Sequence, residues 1–257
     1  MKILKTKLLF ALATEVDFIN KAEGYGYKGY RFLYFRLSEY EKGSIRDAVV
    51  RLSREGALDK IVRGNKARFR LTGGGREKML KKIPLYRGQK QVWDRIWRVV
   101  MVSDLGSDNR VVSRKLNELG YKRAGRGVFI TPLRVSEETK ALFMDKRWSG
   151  KAQVIESRKL IVGDDLGLAR QLWELDQTAT GYLEFITKAD RLLKIARSNP
   201  VLLQQSKGGF KTVFDGYFKL ILTDPGLPKK LLLEDWPADR AKDLFDRLVI
   251  LAKTAGI

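Results

Sequence analysis

Apolar residues recur along this chain at helical and strand spacings, and the places where one rhythm replaces the other divide it into three blocks. Leu8, Leu9, Leu12, Ala13, Val16 and Ile19 step by three and four residues and predict one buried stripe of a first helix. Gly24-Tyr25-Gly26-Tyr27-Lys28-Gly29-Tyr30 breaks that stripe. Alternating Gly and Tyr would offer stacking surfaces to unpaired bases, but a turn whose tyrosines cover the domain is the simpler reading. Arg31 to Glu39, with Phe32, Leu33, Phe35 and Leu37, fits a short second helix.

The stretch Gly43 to Gly56 carries more. Ser44 is a good helix cap and Gly56 a good C-terminal stop. Ile45, Ala48, Val49 and Leu52 stand at i, i+3, i+4 and i+7, one buried face, and Arg46, Asp47, Val50, Arg51 and Arg54 share the other. Arginines facing out from a short apolar stripe suit a DNA major groove, where guanidinium forks reach guanine edges or phosphates; a merely solvated charged face has the same pattern. The next residues favour the groove. Ala57 to Val62 reads as a strand, Arg63-Gly64-Asn65-Lys66 as a tight basic turn and Ala67 to Leu71 as the returning strand, with Leu58, Ile61, Phe69 and Leu71 on the core side. Helix, glycine, strand, basic turn, strand is the order of a winged helix, with Arg63, Lys66 and Arg68 at the wing. Thr72 then caps a helix through Leu80; Gly73-Gly74-Gly75 lacks the following Gly-Lys-Ser/Thr of a phosphate loop.

In the second block, Pro84 to Gln91 reads as a polar linker, and Trp93 and Trp97 lead into an apolar strand, Arg98 to Asp104, ending on a carboxylate. Asn109 to Gly120 has helical spacing through Val112, Leu116 and Leu119, and Tyr121–Ala124 and Gly127–Pro132 read as two strands. Strand, helix, hairpin is half of a ferredoxin-like sandwich. In the third block, Leu168, Leu172, Leu175, Ala179, Tyr182, Ile186, Ala189, Leu193 and Ala196 form one stripe of alternating four- and three-residue steps. It fits a coiled-coil dimer seam and equally a long helix packed inside its own domain. Phe210 to Ile221 and Ala241 to Leu251 mark two more helices. The expected fold is α+β: a winged helix over 1–83, a ferredoxin-like α/β domain over 91–147 and a mostly helical domain over 158–257.

Charge sharpens this picture. Lys and Arg number 51 against 30 Asp and Glu, a net charge of +21. Residues 1–90 hold 22 basic and 9 acidic residues, net +13; residues 91–150 hold 12 and 7, net +5; residues 151–257 hold 17 and 14, net +3. The excess sits where the winged helix is expected, and a polyanion partner, double-stranded DNA, follows from counterion release. The chain has no Cys and no His, which excludes disulfides, thiol chemistry, zinc fingers and Ser-His-Asp triads. No apolar run reaches the roughly 18 residues of a membrane span, and the basic N-terminus lacks a signal peptide's cleavage pattern. A cytoplasmic protein without a cofactor is expected.

Two resemblances rest on these motifs. Residues 93–132 resemble the Cas2-like central domain, whose first strand ends near an acidic residue. They also resemble the middle of PaaX-type regulators, with Trp93 opening the domain and Val128-Phe129-Ile130-Thr131-Pro132 closing the hairpin. The tail is more specific: Asp224-Pro225, Leu227-Pro228, Asp235-Trp236-Pro237, Ala241 and Leu244-Phe245 keep the PaaX order, Trp173-Glu174-Leu175 resembles its Trp-Asp-Leu motif, and Ser44 to Leu58 matches its recognition helix. Resemblance to PaaX-type repressors implies a homodimer on an inverted repeat, released by an aryl-CoA thioester such as phenylacetyl-CoA. The chain departs from that family at Asp47, where a small polar residue is common, and at Asp104, where Pro-Glu is common. The alternative reading is a Cas2-like metal-dependent nuclease, in which Asp104 would hold a divalent metal between two subunits; a lone carboxylate at a strand end is also an ordinary turn or helix cap. A third reading is a basic module without sequence preference, against which the discrete recognition helix counts.

Overall fold

The computed structural model describes residues 2–14, 26–88, 92–103, 108–198 and 207–254. Contacts group the chain into two compact units: residues 1–83, 188–219 and 243–257 form one, and residues 84–187 and 220–242 the other.

The first unit runs α1 (Lys2–Ala13), β1 (Lys28–Gly29), α2 (Tyr30–Arg36), α3 (Lys42–Arg54), β2 (Leu58–Arg63), β3 (Lys66–Leu71) and α4 (Gly73–Leu80), with an antiparallel sheet in the order β1-β3-β2. This is the element order of a winged helix, with its expected helix, hairpin and helix in place. Helix α1 differs from the predicted one-sided stripe. Leu4, Leu8, Leu9, Phe10, Ala11, Leu12 and Ala13 are all buried, because the far side of the helix is covered as well. Phe10 packs at 5.2 Å from Phe214 and from Phe218 and at 5.8 Å from Phe245. These rings come from α10 (Lys207–Thr223) and α11 (Ala238–Thr254). Lys7, buried on the same helix, is neutralised by Glu39 and, at 2.6 Å, by Asp215, the arrangement a buried cation requires. Val16 and Ile19 of the predicted stripe, with Gly24 and Tyr25, lie outside the described residues.

The second unit contains β4 (Trp97–Val102), α6 (Asn109–Leu119), β5 (Lys122–Gly125), β6 (Val128–Thr131), α7 (Ser136–Phe143) and β7 (Ala152–Ser157), after a four-residue α5 (Leu85–Gly88). All its strand pairs are antiparallel, in the order β5-β6-β4-β7. This is the full βαββαβ ferredoxin-like topology, and its last strand lies beyond residue 147. Val100, Val112, Leu116, Tyr121, Phe129 and Trp148 fill the side of the sheet that faces the helices. The other side carries Trp97, Ile130, Trp93 and Trp173, packed with Leu227 and Leu231. Two expectations change here. Leu85 is buried, and a Cβ on Gly226 (φ +62°) would stand 2.0 Å from the Pro84 carbonyl oxygen, so the start of the expected linker is packed. The predicted continuous stripe is broken: α8 (Asp165–Leu172) ends at Trp173, Glu174 turns left-handed (φ 52°), and α9 (Leu175–Ser198) restarts. Leu175, Tyr182, Ile186, Ala189, Leu193 and Ala196 are buried within the chain, which leaves the stripe no coiled-coil seam to offer a second copy.

Candidate nucleic-acid interface

Helix α3 separates its two faces cleanly. Ile45, Ala48, Val49 and Leu52 are buried, and Ser44, Arg46, Asp47, Val50, Arg51 and Arg54 are exposed. Ser44 is not the cap. The helix begins at Lys42 with Glu41 in the capping position and no side-chain capping bond, which puts Ser44 in the first turn. Gly56 stops the helix as expected, with φ +67°. The acidic residue beside it is paired: Glu55 accepts from Lys5 Nζ at 2.7 Å and from Lys78. These two ammonium donors hold its carboxyl down at about 2, so it is charged and compensated at neutral pH. Three elements, α1, α3 and α4, meet in that ion-pair cluster.

On the exposed face of α3, Arg46 is held in place by Tyr34 of α2. Its Nε donates to the Tyr34 hydroxyl at 2.7 Å, and its guanidinium stands 5.9 Å from the centre of that ring. Tyr34 is itself stacked on Tyr30 at 5.6 Å, and Tyr30 meets Phe69 of β3 edge-on at 5.0 Å. A line of three aromatic rings thus ties Arg46 to the core of the hairpin. Sequence reasoning missed Tyr34; the i, i+4 pair Tyr30/Tyr34 on one short helix was the available signal.

The hairpin register pairs Arg63 with Lys66, Ile61 with Arg68 and Asp59 with Arg70. Paired residues share a face, so Arg63, Lys66, Arg68 and Arg70 lie on the face opposite Phe69 and Leu71. Ile61 lies there too, half-buried, and not on the core side expected for it. Gly64 has φ +60° and Asn65 is not left-handed, the pattern of a II′ turn, whose twist matches paired strands. Arg70 is engaged: it donates to Asp59 at 3.2 Å and covers the Tyr27 ring at 4.8 Å. The Tyr27 hydroxyl also donates to Asp59, and that bond foremost lowers the carboxyl and raises the phenol. Arg63, Lys66 and Arg68 are exposed and have no ion-pair partner among the described residues. Thr72 caps α4 as predicted, its Oγ1 accepting from the Gly75 amide at 3.0 Å.

Asp104 lies outside the described residues, among which no group of three or more His, Cys, Asp or Glu is placed to hold a metal ion. Among the same residues no helix is long and apolar enough to cross a membrane.

Residues 173–256 match the family model of the PaaX-like protein C-terminal domain, so the resemblance read from the tail motifs is borne out there. A solved structure of the uncharacterized protein Rv0674 from Mycobacterium tuberculosis aligns with 84% of this chain and 84% of its own, at 20% identity and a TM-score of 0.49. No curated protein matches the sequence.

Proposed function

We propose that this chain, which carries a PaaX-like C-terminal domain, is a sequence-specific DNA-binding transcriptional regulator of the cytoplasm, a dimeric repressor acting on an inverted repeat. The observation that carries the reading is the exposed face of α3, with Arg46, Arg51 and Arg54 followed directly by the basic wing tip. Arg46, nearest the start of the helix among the three, enters the major groove deepest, as N-terminal residues of recognition helices do. Its fork suits guanine, and Asp47 beside it is an acceptor suited to cytosine N4. Arg63, Lys66 and Arg68 contact phosphates or the adjacent minor groove and contribute affinity with little sequence information. Tyr34 holds the Arg46 fork ready, which reduces the entropy lost on contact. Dimerisation and release by a CoA thioester or other small effector belong to the proposal on the strength of the family resemblance.

Salt titration of duplex binding tests the interface. Several Lys and Arg displacing counterions predict a loss of about tenfold or more in affinity when salt rises fourfold. A nearly flat response would remove the basic first unit as the contact surface. Metal-dependent cleavage of the duplex, abolished by Asp104→Ala, would replace the regulator with a nuclease.

A further inference from the structure

The two edges of the ferredoxin-like sheet are built differently. On the β5 edge the ladder slips between Arg123 and Gly125, and Lys122 and Arg123 add charge. A bulge and basic side chains are the usual protection of a free edge. The β7 edge has neither. Its register against β4 is unbroken over six residues, and the strand contains no Pro, Lys or Arg. Val154 and Ile155 are 41% and 48% exposed, one on each face of the sheet. Its single charge, Glu156, is turned back into the protein, accepting from Ser136 Oγ at 2.6 Å with Arg98 Nε at 3.3 Å. In a chain of net charge +21, this strand is a place where two copies meet without opposing cations.

We infer that β7 is the dimer interface: the β7 strands of two copies of this chain pair antiparallel and join their sheets across a two-fold axis. The occupant rests on the dimeric-regulator reading above; the location rests on the sheet alone. Backbone direction restricts the register. The Lys151 carbonyl accepts from the Ser103 amide at 2.9 Å, so residues 151, 153, 155 and 157 spend their backbone groups on β4, and Ala152, Val154 and Glu156 turn theirs outward. A two-fold mate must pair outward groups with outward groups, which centres the axis on Gln153, Val154 or Ile155. Centring on Ile155 sets Lys151 opposite Lys159 of the copy, a like-charge pair. Centring on Gln153 overlaps only the first half of the strand. Centring on Val154 sets Val154 against itself, Ala152 against Glu156 and Gln153 against Ile155, with no like charges opposed.

The chain lacks cysteine, so Val154→Cys supplies a single thiol whose copy would stand with Cα about 5.5 Å away, inside the disulfide range of roughly 4.4–6.8 Å. The wild type should sediment as a dimer at micromolar concentration. Mild oxidation should convert most Val154→Cys to a covalent dimer and leave Arg123→Cys, on the protected edge, monomeric on a non-reducing gel. Ile155→Lys, checked for fold by circular dichroism, should weaken the dimer at least tenfold. A wild-type monomer would overturn the inference. So would a dimer in which Val154→Cys cross-links no faster than Arg123→Cys, or a folded Ile155→Lys that dimerises unchanged. Duplex binding, measured separately, keeps the two readings apart: a β7-linked dimer that binds no DNA supports the interface and removes the regulator, and a monomer that binds a specific duplex removes the interface and leaves DNA recognition standing without the dimer.

Discussion

Segments 42–71 and 109–131 of this chain follow one local plan. Each has a helix with a buried apolar side and outward arginines, a left-handed glycine, and a hairpin with a basic tip. In the first these are Arg46, Arg51 and Arg54, Gly56, and Arg63 with Lys66; in the second, Arg110 and Arg114, Gly120, and Arg126. The difference lies in what holds the hairpin. The strand beside the first, β1, pairs only Phe69 and Arg68, so the turn at Gly64 projects past its sheet. The tip of the second is tied down: the Gly127 carbonyl accepts from the Val102 amide at 2.7 Å, and Arg123 lies over the Phe129 ring at 5.4 Å. A basic hairpin reaches a groove only if the neighbouring strand is short enough to free it, and no local pattern records that.

The two turn glycines give the largest expected contrast. A Cβ on Gly64 meets nothing within 4 Å, whereas one on Gly127 stands 2.6 Å from the Val102 carbonyl oxygen, a backbone atom. Gly64→Ala should cost the left-handed penalty alone, about 1–2 kcal/mol. Gly127→Ala adds overpacking of about 1–3 kcal/mol, so denaturant unfolding should separate the variants by at least a kilocalorie or so. Equal losses would mean that the second tip is as free as the first. Next in size, Arg46→Ala should weaken specific duplex binding by about 1–3 kcal/mol, while Arg114→Ala on the second helix should change it within a few-fold; a comparable loss from both would erase the distinction between the helices. Smallest is the wing. Lys66→Ala should weaken specific and random duplexes alike and lower the salt slope by about one, and a loss confined to the specific site would make the wing a reader of bases.

Much of the first unit was legible because its signals are local. The stripe Ile45/Ala48/Val49/Leu52, the stop at Gly56 and the cap at Thr72 are each decided within one or two turns of chain, and the structure shows all three. What was not legible depends on distant partners. The burial of α1 on both sides at Phe10 requires Phe214, Phe218 and Phe245, some two hundred residues on. The last strand of the ferredoxin-like sheet was missed because β7 is an edge strand exposed on both faces and so lacks the alternation that marks a half-buried strand. The break at Glu174 has no glycine or proline to announce it. In the candidate interface, the arginines of α3 were visible as a charged face, but the Tyr34 hydroxyl that holds Arg46 belongs to another helix and emerges only once α2 and α3 pack together.

The central claim is that α3 reads bases, and selection of bound duplexes from a random pool tests it most directly. Wild type should enrich an inverted repeat, and Arg46→Ala should lose the preference at one position in each half-site while keeping the remainder. If the wild type enriches no sequence, or Arg46→Ala enriches the same one unchanged, α3 positions the protein and does not read.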